Sequence, residues 1–113
     1  MAQSVDSPLE KAAKLIVGSR YVVALVGAGI SIESGIPPFR GPGGLWTKYG
    51  EPGMRDHQRF LENPRAWWIE RLRLSGHMAE FRDRIQNAKP NPAHLALAEL
   101  ERMGFLKSVV TQN

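Results

Sequence analysis

A glycine-rich segment in the N-terminal half of the chain carries the residues whose types and spacing favour chemistry. The valine-rich run Val22–Val26 stops abruptly at Gly27-Ala28-Gly29. Glycines at the end of a parallel strand let backbone N–H groups approach phosphate oxygens, and a following helix N-terminus adds positive potential. The segment therefore predicts a site for a phosphate-bearing ligand at the carboxyl end of a buried strand.

The segment departs from the two common phosphate-binding fingerprints. The third glycine of G-x-G-x-x-G falls at position 32, which is Ile32, and no acidic residue follows at the end of a second strand. The ordinary dehydrogenase pattern is therefore not met, and no G-x-x-x-x-G-K-[ST] string supports a P-loop nucleotidase. A purely structural glycine turn stays open at this point.

Two elements are predicted to position the start of this segment. Ser7-Pro8-Leu9-Glu10 has the pattern of a capping box with a compatible proline, which predicts a helix ending at Gly18. Tyr21 to Val26 is short and apolar, so we expect a strand that is buried on both faces.

Glycine and proline dominate the stretch that follows. Eight glycines and four prolines occur between Gly27 and Gly53, a density that rules out a long regular element. We expect a short helical turn over Ser31–Ser34, closed by Gly35. Pro37 to Pro52 is expected to form a mobile loop with few backbone hydrogen bonds.

The rest of the chain alternates helical signals with breaks at Asn63-Pro64 and Ser75-Gly76. The predicted elements are helices over His57–Leu61, Arg65–Leu74 and Met78–Ile85, a helix from Asn91-Pro92 to Gly104, and a strand over Lys107–Thr111. Two apolar strands joined by helical material imply a parallel pair. The predicted fold is α/β, a partial doubly wound sheet ending after the second strand.

Composition sets the broad class of protein. A chain of 113 residues with 42% hydrophobic residues predicts one domain at most with a modest core. There is no cysteine, no apolar run of membrane-spanning length, and no signal-peptide pattern over Met1 to Pro8. His57, His77 and His94 lack metal-ligand spacing. We expect a cytoplasmic protein with no membrane partner.

The charge pattern gives little functional signal. The net charge is +4 and the pI is about 9.9, but the basic side chains stand among acidic ones. Solvated helix faces explain this best, and attraction of an anionic cofactor is the next reading. We expect no nucleic-acid partner.

A longer string is far more specific than the glycines alone. Gly-Ala-Gly-Ile-Ser-x-x-Ser-Gly-Ile-Pro-x-Phe-Arg-Gly at 27–41 resembles the signature of the sirtuins, which are NAD-dependent protein deacylases. Gly43-Gly44-Leu45-Trp46 continues it, Pro90-Asn91-x-Ala93-His94 is similar to a later segment, and Thr111-Gln112-Asn113 matches the start of a second motif. The resemblance runs from about Tyr21 to Asn113.

The resemblance implies a role for each matching position. Ten residues are expected to bind NAD, and they are Gly27, Ala28, Gly29, Ser31, Ile36, Phe39, Arg40, Trp46, Gln112 and Asn113. The first four would hold the phosphates and adjoining ribose, and Ile36 and Phe39 would line the nicotinamide pocket. Arg40 would reach the ribose–phosphate region as its loop closes. Gln112 and Asn113 would contact the nicotinamide-side ribose.

The departures from the family pattern matter as much as the matches. In the family, the position of Asn113 is followed by an Ile/Val-Asp pair, a histidine general base and four zinc-binding cysteines. None of these has a counterpart here, and His94 lies in an earlier helix. We therefore expect residues 1–113 to be the N-terminal part of a sirtuin NAD-binding domain, without catalytic or metal-binding residues of its own. Zinc is expected only in the remainder.

Three functions remain open after these matches to the family motifs and departures from them. The resemblance implies removal of acyl groups from lysine of a protein or peptide, with this chain inactive alone. Ile69 to Leu72 lacks the Tyr-x-x-Arg pair of acid-acyl-preferring members, which disfavours succinyl and malonyl groups. The alternatives are an NAD or ADP-ribose binding module without catalysis, and a basic interaction domain. Two strands with unpaired edges also predict self-association, or association with the remainder of the protein.

Overall fold

The computed structural model describes residues 7–73 and 77–113, and residues 1–6 and 74–76 are not described further. Its elements, in chain order, are α1 (Pro8–Gly18), β1 (Val22–Val26), a 3-10 helix (Ala28–Ser34), α2 (Leu45–Tyr49), α3 (Met54–Glu62), α4 (Pro64–Leu72), α5 (His77–Asn87), α6 (Pro92–Arg102) and β2 (Leu106–Thr111). The chain forms two compact units. The first combines Met1–Gly27 with Pro92–Asn113, and the second is Ala28–Asn91.

The first unit is built on a parallel pair of strands. β1 and β2 lie side by side in register, with Val26 opposite Thr111 and an irregularity after Val22. α6 contacts β2. The predicted parallel pair is therefore confirmed, and both strands end at the same edge of the sheet.

The expectation that β1 is buried on both faces is wrong. Successive side chains of a strand point to opposite faces, and in β1 only every second one is half-buried. Val23 is 48% and Leu25 is 84% exposed. Among the described residues, Leu106 is the only buried hydrophobic one, at 5% exposure. One face of β1 is thus half-buried, whereas every residue of β2 after Leu106 is exposed.

The helix ends follow their local signals closely. In the capping box of α1, the Ser7 N–H donates to Glu10 Oε2 at 2.7 Å and the Glu10 N–H donates to Ser7 Oγ at 3.2 Å. α6 ends in a Schellman motif, in which Gly104 has φ +84° and the Phe105 N–H donates to the Leu100 carbonyl at 3.0 Å. Both predicted boundaries are confirmed.

The second unit contains a helix pair, α3 and α4, joined at Asn63. The Ala66 N–H donates to Asn63 Oδ1 at 3.0 Å, so Asn63, predicted only as a break between helices, also caps α4. Asp56 on α3 accepts from Trp67 Nε1 at 3.2 Å and from Arg71 Nη2 at 2.7 Å on α4. This cluster ties the two helices together.

The adjacent tryptophans face different surroundings, as expected for neighbours on a helix. The Trp67 ring lies 5.3 Å from Phe60 and carries the Arg71 guanidinium at 3.9 Å, whereas Trp68 is 54% exposed. The predicted break at Ser75-Gly76, the helix end at Leu74 and most of the Met1 to Pro8 segment lie outside the described residues. Within residues 7–73 and 77–113, no helix combines the length and apolarity that a membrane crossing needs.

Candidate functional site

The carboxyl edge of the sheet brings together three of the predicted site residues. Gly27 follows β1, and Gln112 and Asn113 follow β2. The Asn113 side chain donates from Nδ2 to the Gly27 carbonyl at 2.8 Å, across a sequence separation of 86. Its own N–H donates to Thr111 Oγ1 at 3.1 Å. The two strand ends are therefore linked directly at the edge where α/β sheets bind ligands.

The two glycines of the predicted phosphate-binding turn leave space beside the backbone. A Cβ atom built on Gly27 or on Gly29 meets no other heavy atom within 4 Å. Both residues are exposed. The backbone at each position is thus open to the close approach that a phosphate oxygen requires, so these residues fit a dinucleotide.

The residues after Gly27 form a 3-10 helix that is longer than the predicted turn at Ser31–Ser34. It begins at Ala28 and ends at Ser34. Gly35 closes it with φ +86°, and its N–H donates to the Ile32 carbonyl at 2.9 Å. Ala28 and Ser31 are half-buried in this segment. The sequence signal for closure at Gly35 is confirmed, whereas the earlier start was missed.

Asn91 is a buried residue that the sequence predicts as the start of a helix, within a segment similar to the sirtuins. It is 6% exposed, and its Nδ2 donates to the Ile30 carbonyl at 2.7 Å and to Ser34 Oγ at 3.0 Å. A capping role uses the side-chain oxygen and leaves the two amide N–H donors without an assigned partner. That unassigned donor pair was the signal that a second contact exists.

The loop over Pro37 to Pro52 is more ordered locally than its composition suggests. The Leu45 N–H donates to the Pro38 carbonyl at 2.9 Å, and the Trp46 N–H donates to the Phe39 carbonyl at 2.8 Å. Thr47 Oγ1 donates to the Gly41 carbonyl at 3.0 Å. The expectation of few backbone hydrogen bonds is wrong, because this stretch contains α2 and these bonds hold residues 38–41 against its start.

Gly44 precedes α2 and lies against the backbone of this loop, and it was not among the predicted site residues. It is buried. A Cβ atom at Gly44 would lie 2.8 Å from both the Phe39 carbonyl oxygen and the Arg40 carbonyl carbon. A side chain at this position would displace the backbone that carries Phe39 and Arg40.

Phe39, Arg40 and Trp46 form one cluster. The Phe39 and Trp46 rings lie 5.0 Å apart, and the Arg40 guanidinium lies 4.9 Å from the centre of the Trp46 ring. Arg40 Nη2 also pairs with Glu51 Oε1 at 2.5 Å. Glu51 was missed because nothing in its local pattern distinguishes it from other exposed carboxylates.

Ile36 and Phe39 line different cavities of the second unit. Ile36 contributes to a cavity of about 280 Å³ beside Pro37, Pro38 and Lys48. Phe39 and Trp46 contribute to another of about 340 Å³. Leu45 and Tyr49 line both. A nicotinamide pocket shared by Ile36 and Phe39 therefore stays a prediction.

Metal binding has no evident residues in the described part of the chain. Residues 7–73 and 77–113 contain no group of three or more histidine, aspartate or glutamate side chains placed to hold an ion.

Comparison with known proteins identifies relatives across almost the whole chain. It is 46% identical over 109 residues to the NAD-dependent protein deacylase 2 of Archaeoglobus fulgidus, covering 96% of this chain and 40% of that protein. An ADP-ribose complex of a Sir2 homologue mutant superposes with a TM-score of 0.70 at 46% identity, covering 92% of this chain and 39% of that one. A Sir2 homologue–NAD complex has a TM-score of 0.63 at 46% identity, with 92% and 38% covered.

These similarities settle the class of protein. The solved relatives confirm the α/β, Rossmann-like character of the fold. The chain spans about 40% of the length of the curated relative. The model of the Sir2 family matches residues 27–113, which include all ten residues expected to bind the dinucleotide. This chain belongs to the Sir2 family.

Proposed function

We propose that this chain supplies the dinucleotide-binding part of an NAD-dependent protein-lysine deacylase. The observation that carries the proposal is the Asn113–Gly27 hydrogen bond of 2.8 Å, which joins the two strand ends at the sheet edge. Ligands of open α/β sheets bind outside the carboxyl ends of the strands. The NAD and ADP-ribose complexes of similar proteins support the same choice of ligand.

The residues of the chain divide into three tasks. Gly27, Ala28, Gly29 and Ser31 would hold the phosphates and the adjoining ribose through backbone N–H groups and one hydroxyl. Gln112 and Asn113 would orient the nicotinamide-side ribose. Ile36, Phe39, Arg40 and Trp46 would cover the nicotinamide end of the site.

The chemistry requires an oriented dinucleotide and the exclusion of water more than it requires a strong nucleophile. NAD, when bound, would supply a glycosidic bond that breaks to release nicotinamide, and the ribose carbon freed in this way would accept the acyl oxygen of the modified lysine. The Phe39 ring, held against Trp46 at 5.0 Å, would exclude water from that face of the ribose. The Arg40 guanidinium would pair with a phosphate in place of the Glu51 carboxylate.

Several finer assignments belong to this proposal. The substrate would be an acyl-lysine side chain of a protein or peptide, and the reaction would count as an acyl transfer or hydrolysis. We propose a cytoplasmic location. The segment 1–113 would be the N-terminal part of the NAD-binding domain, and zinc would bind in the part of the relatives that this chain does not span.

Calorimetric titration of the purified chain with NAD, with ADP-ribose and with a basic-domain ligand such as heparin tests the proposal. We expect NAD and ADP-ribose to bind and Gly29→Val to abolish that binding. A Cβ on Gly29 meets no other heavy atom within 4 Å, and thermal melting of the variant checks that the fold is retained. Gly18→Ala at the end of α1, also in open space, is the matched control and should bind normally.

The alternatives give different results in the same experiment. Binding of heparin but of neither nucleotide would favour a basic interaction domain. Undiminished NAD binding by Gly29→Val would contradict a phosphate site at the glycine turn. A binding module without catalysis would bind NAD normally, yet support no lysine deacylation when completed by the C-terminal part of a relative.

A further inference from the structure

Asn91 is the only buried polar residue among those that the structure describes. At 6% exposure, its side chain has no access to bulk water that could replace a lost partner. Its Nδ2 donates to the Ile30 carbonyl at 2.7 Å and to Ser34 Oγ at 3.0 Å. When a buried acceptor loses such a donor, the folded state is destabilised by more than the net contribution of the hydrogen bond.

Both contacts of Asn91 fall on the same short segment. Ile30 and Ser34 lie on either side of Ser31 in the 3-10 helix Ala28–Ser34. Hydrogen bonds within a 3-10 helix have poorer geometry than those of an α-helix, so a seven-residue run depends on outside support. Asn91 supplies that support from 57 and 61 positions away in the sequence.

The contact with the Ile30 carbonyl also fixes an orientation of the backbone. It accepts the Asn91 amide at 2.7 Å, which fixes the peptide plane between Ile30 and Ser31. That plane also sets the direction of the Ser31 N–H. The contact with Ser34 fixes the opposite end of the turn. The two N–H donors of one asparagine therefore contribute to the orientation of the segment that carries Gly29 and Ser31.

We propose that Asn91 is a positioning residue for the dinucleotide site, acting through the Ile30 carbonyl and the Ser34 hydroxyl. The inference rests on the proposed function for the identity of the ligand. It assigns to Asn91 a role beyond starting α6, the helix that begins at the next residue, Pro92.

Asn91→Asp separates these two roles. Aspartate has nearly the same shape and is as good a residue as asparagine before a helix, so the start of α6 is preserved. It lacks both Nδ2 donors, and its ionised carboxylate would face the Ile30 carbonyl oxygen. Ser34→Ala removes one of the two contacts and serves as a milder second variant.

The experiment combines NAD titration with amide hydrogen exchange on the full chain. For Asn91→Asp we expect a Kd for NAD at least about tenfold higher, and exchange at least about tenfold faster within residues 28–34, because both hydrogen bonds of the Asn91 amide are lost. Exchange in β1 and β2 should be unchanged. Asn87→Asp is the matched control. Asn87 is exposed on α5, and its Nδ2 donates to the carbonyl and the carboxylate of Asp83, which lies on the same helix.

Each outcome decides the inference. Faster exchange confined to residues 28–34, together with weaker NAD binding, supports positioning, and Ser34→Ala should then give a smaller change of the same kind. Equal acceleration in β1 and β2 would show a general structural role and overturn it, as would unchanged NAD affinity. If the parent chain binds no NAD, the proposed function fails, and exchange in residues 28–34 alone decides whether Asn91 holds this turn.

Discussion

The Arg40 guanidinium is held by the Glu51 carboxylate, with 2.5 Å between Nη2 and Oε1. The side chains are 71% and 55% exposed. An exposed pair of this kind contributes at most about 1 kcal/mol. Arg40 is therefore engaged by an anion of its own loop, but weakly enough for a phosphate to replace that anion.

Glu51→Gln should strengthen NAD binding, because Arg40 would no longer have to leave the Glu51 carboxylate before it pairs with a phosphate. The gain should be small, about fivefold at most, since the exposed pair is weak and screened by salt. Titration at low and at high ionic strength measures it, and the gain should shrink at high salt. Glu62→Gln on α3 carries the same charge change, and an equal gain there would show that only net charge matters.

Gly44→Ala should destabilise the chain, because its Cβ would lie 2.8 Å from the Phe39 carbonyl oxygen and the Arg40 carbonyl carbon. The expected loss is about 1–3 kcal/mol, the usual cost of forcing atoms into filled space. Urea unfolding measures it. Gly53→Ala, where the nearest atom is 4.0 Å away, is the control, and an equal loss in both variants would refute the steric explanation.

The loop over Pro37 to Pro52 should be the most mobile internal region without ligand, although its mobility should not be uniform. The N–H groups of Gly44, Leu45 and Trp46 are hydrogen-bonded, so they should exchange more slowly than those of residues 39–43. Amide exchange by NMR resolves the two parts. Protection of the whole loop equal to that of Val22–Val26 would contradict this prediction.

The chain should associate with itself as its concentration rises, because apolar side chains of the sheet are exposed. Leu25 is 84% exposed, and Val109 and Val110 are 46% and 51% exposed. Sedimentation over about a hundredfold concentration range tests this mass-action effect. Leu25→Lys should weaken association, whereas Met54→Lys, at an 88% exposed position of α3, should not. A compact monomer throughout would show that the chain closes its own core.

The 113-residue chain should not deacylate lysine by itself. Its resemblance to the family includes no counterpart of the histidine general base, and His94 belongs to α6. Incubation with NAD and an acetyl-lysine peptide, followed by mass spectrometry, should show neither deacetylated peptide nor nicotinamide. Turnover by the purified chain would disprove the prediction, with a full-length relative as the positive control.

The sequence by itself determined the features that depend on neighbouring residues. The Ser7–Glu10 capping box, the Asn63 cap and the Gly104 helix end each involve contacts within about five positions. Their backbone geometry is therefore set by residue type and local spacing. The string at 27–41 was equally readable, because a ligand-binding turn needs its glycines at fixed offsets.

Only the tertiary structure decided which distant residues complete the site. Asn91 reaches Ile30 across 61 positions, and Asn113 reaches Gly27 across 86. Glu51 and Gly44 gained their roles from the way one loop folds back on α2. The exposure of Leu25 likewise depends on what covers each face of the sheet. The order of apolar and polar residues along the strand does not specify that cover. Such contacts arise from the relative placement of whole elements, and residue types along the chain carry no distance information about it.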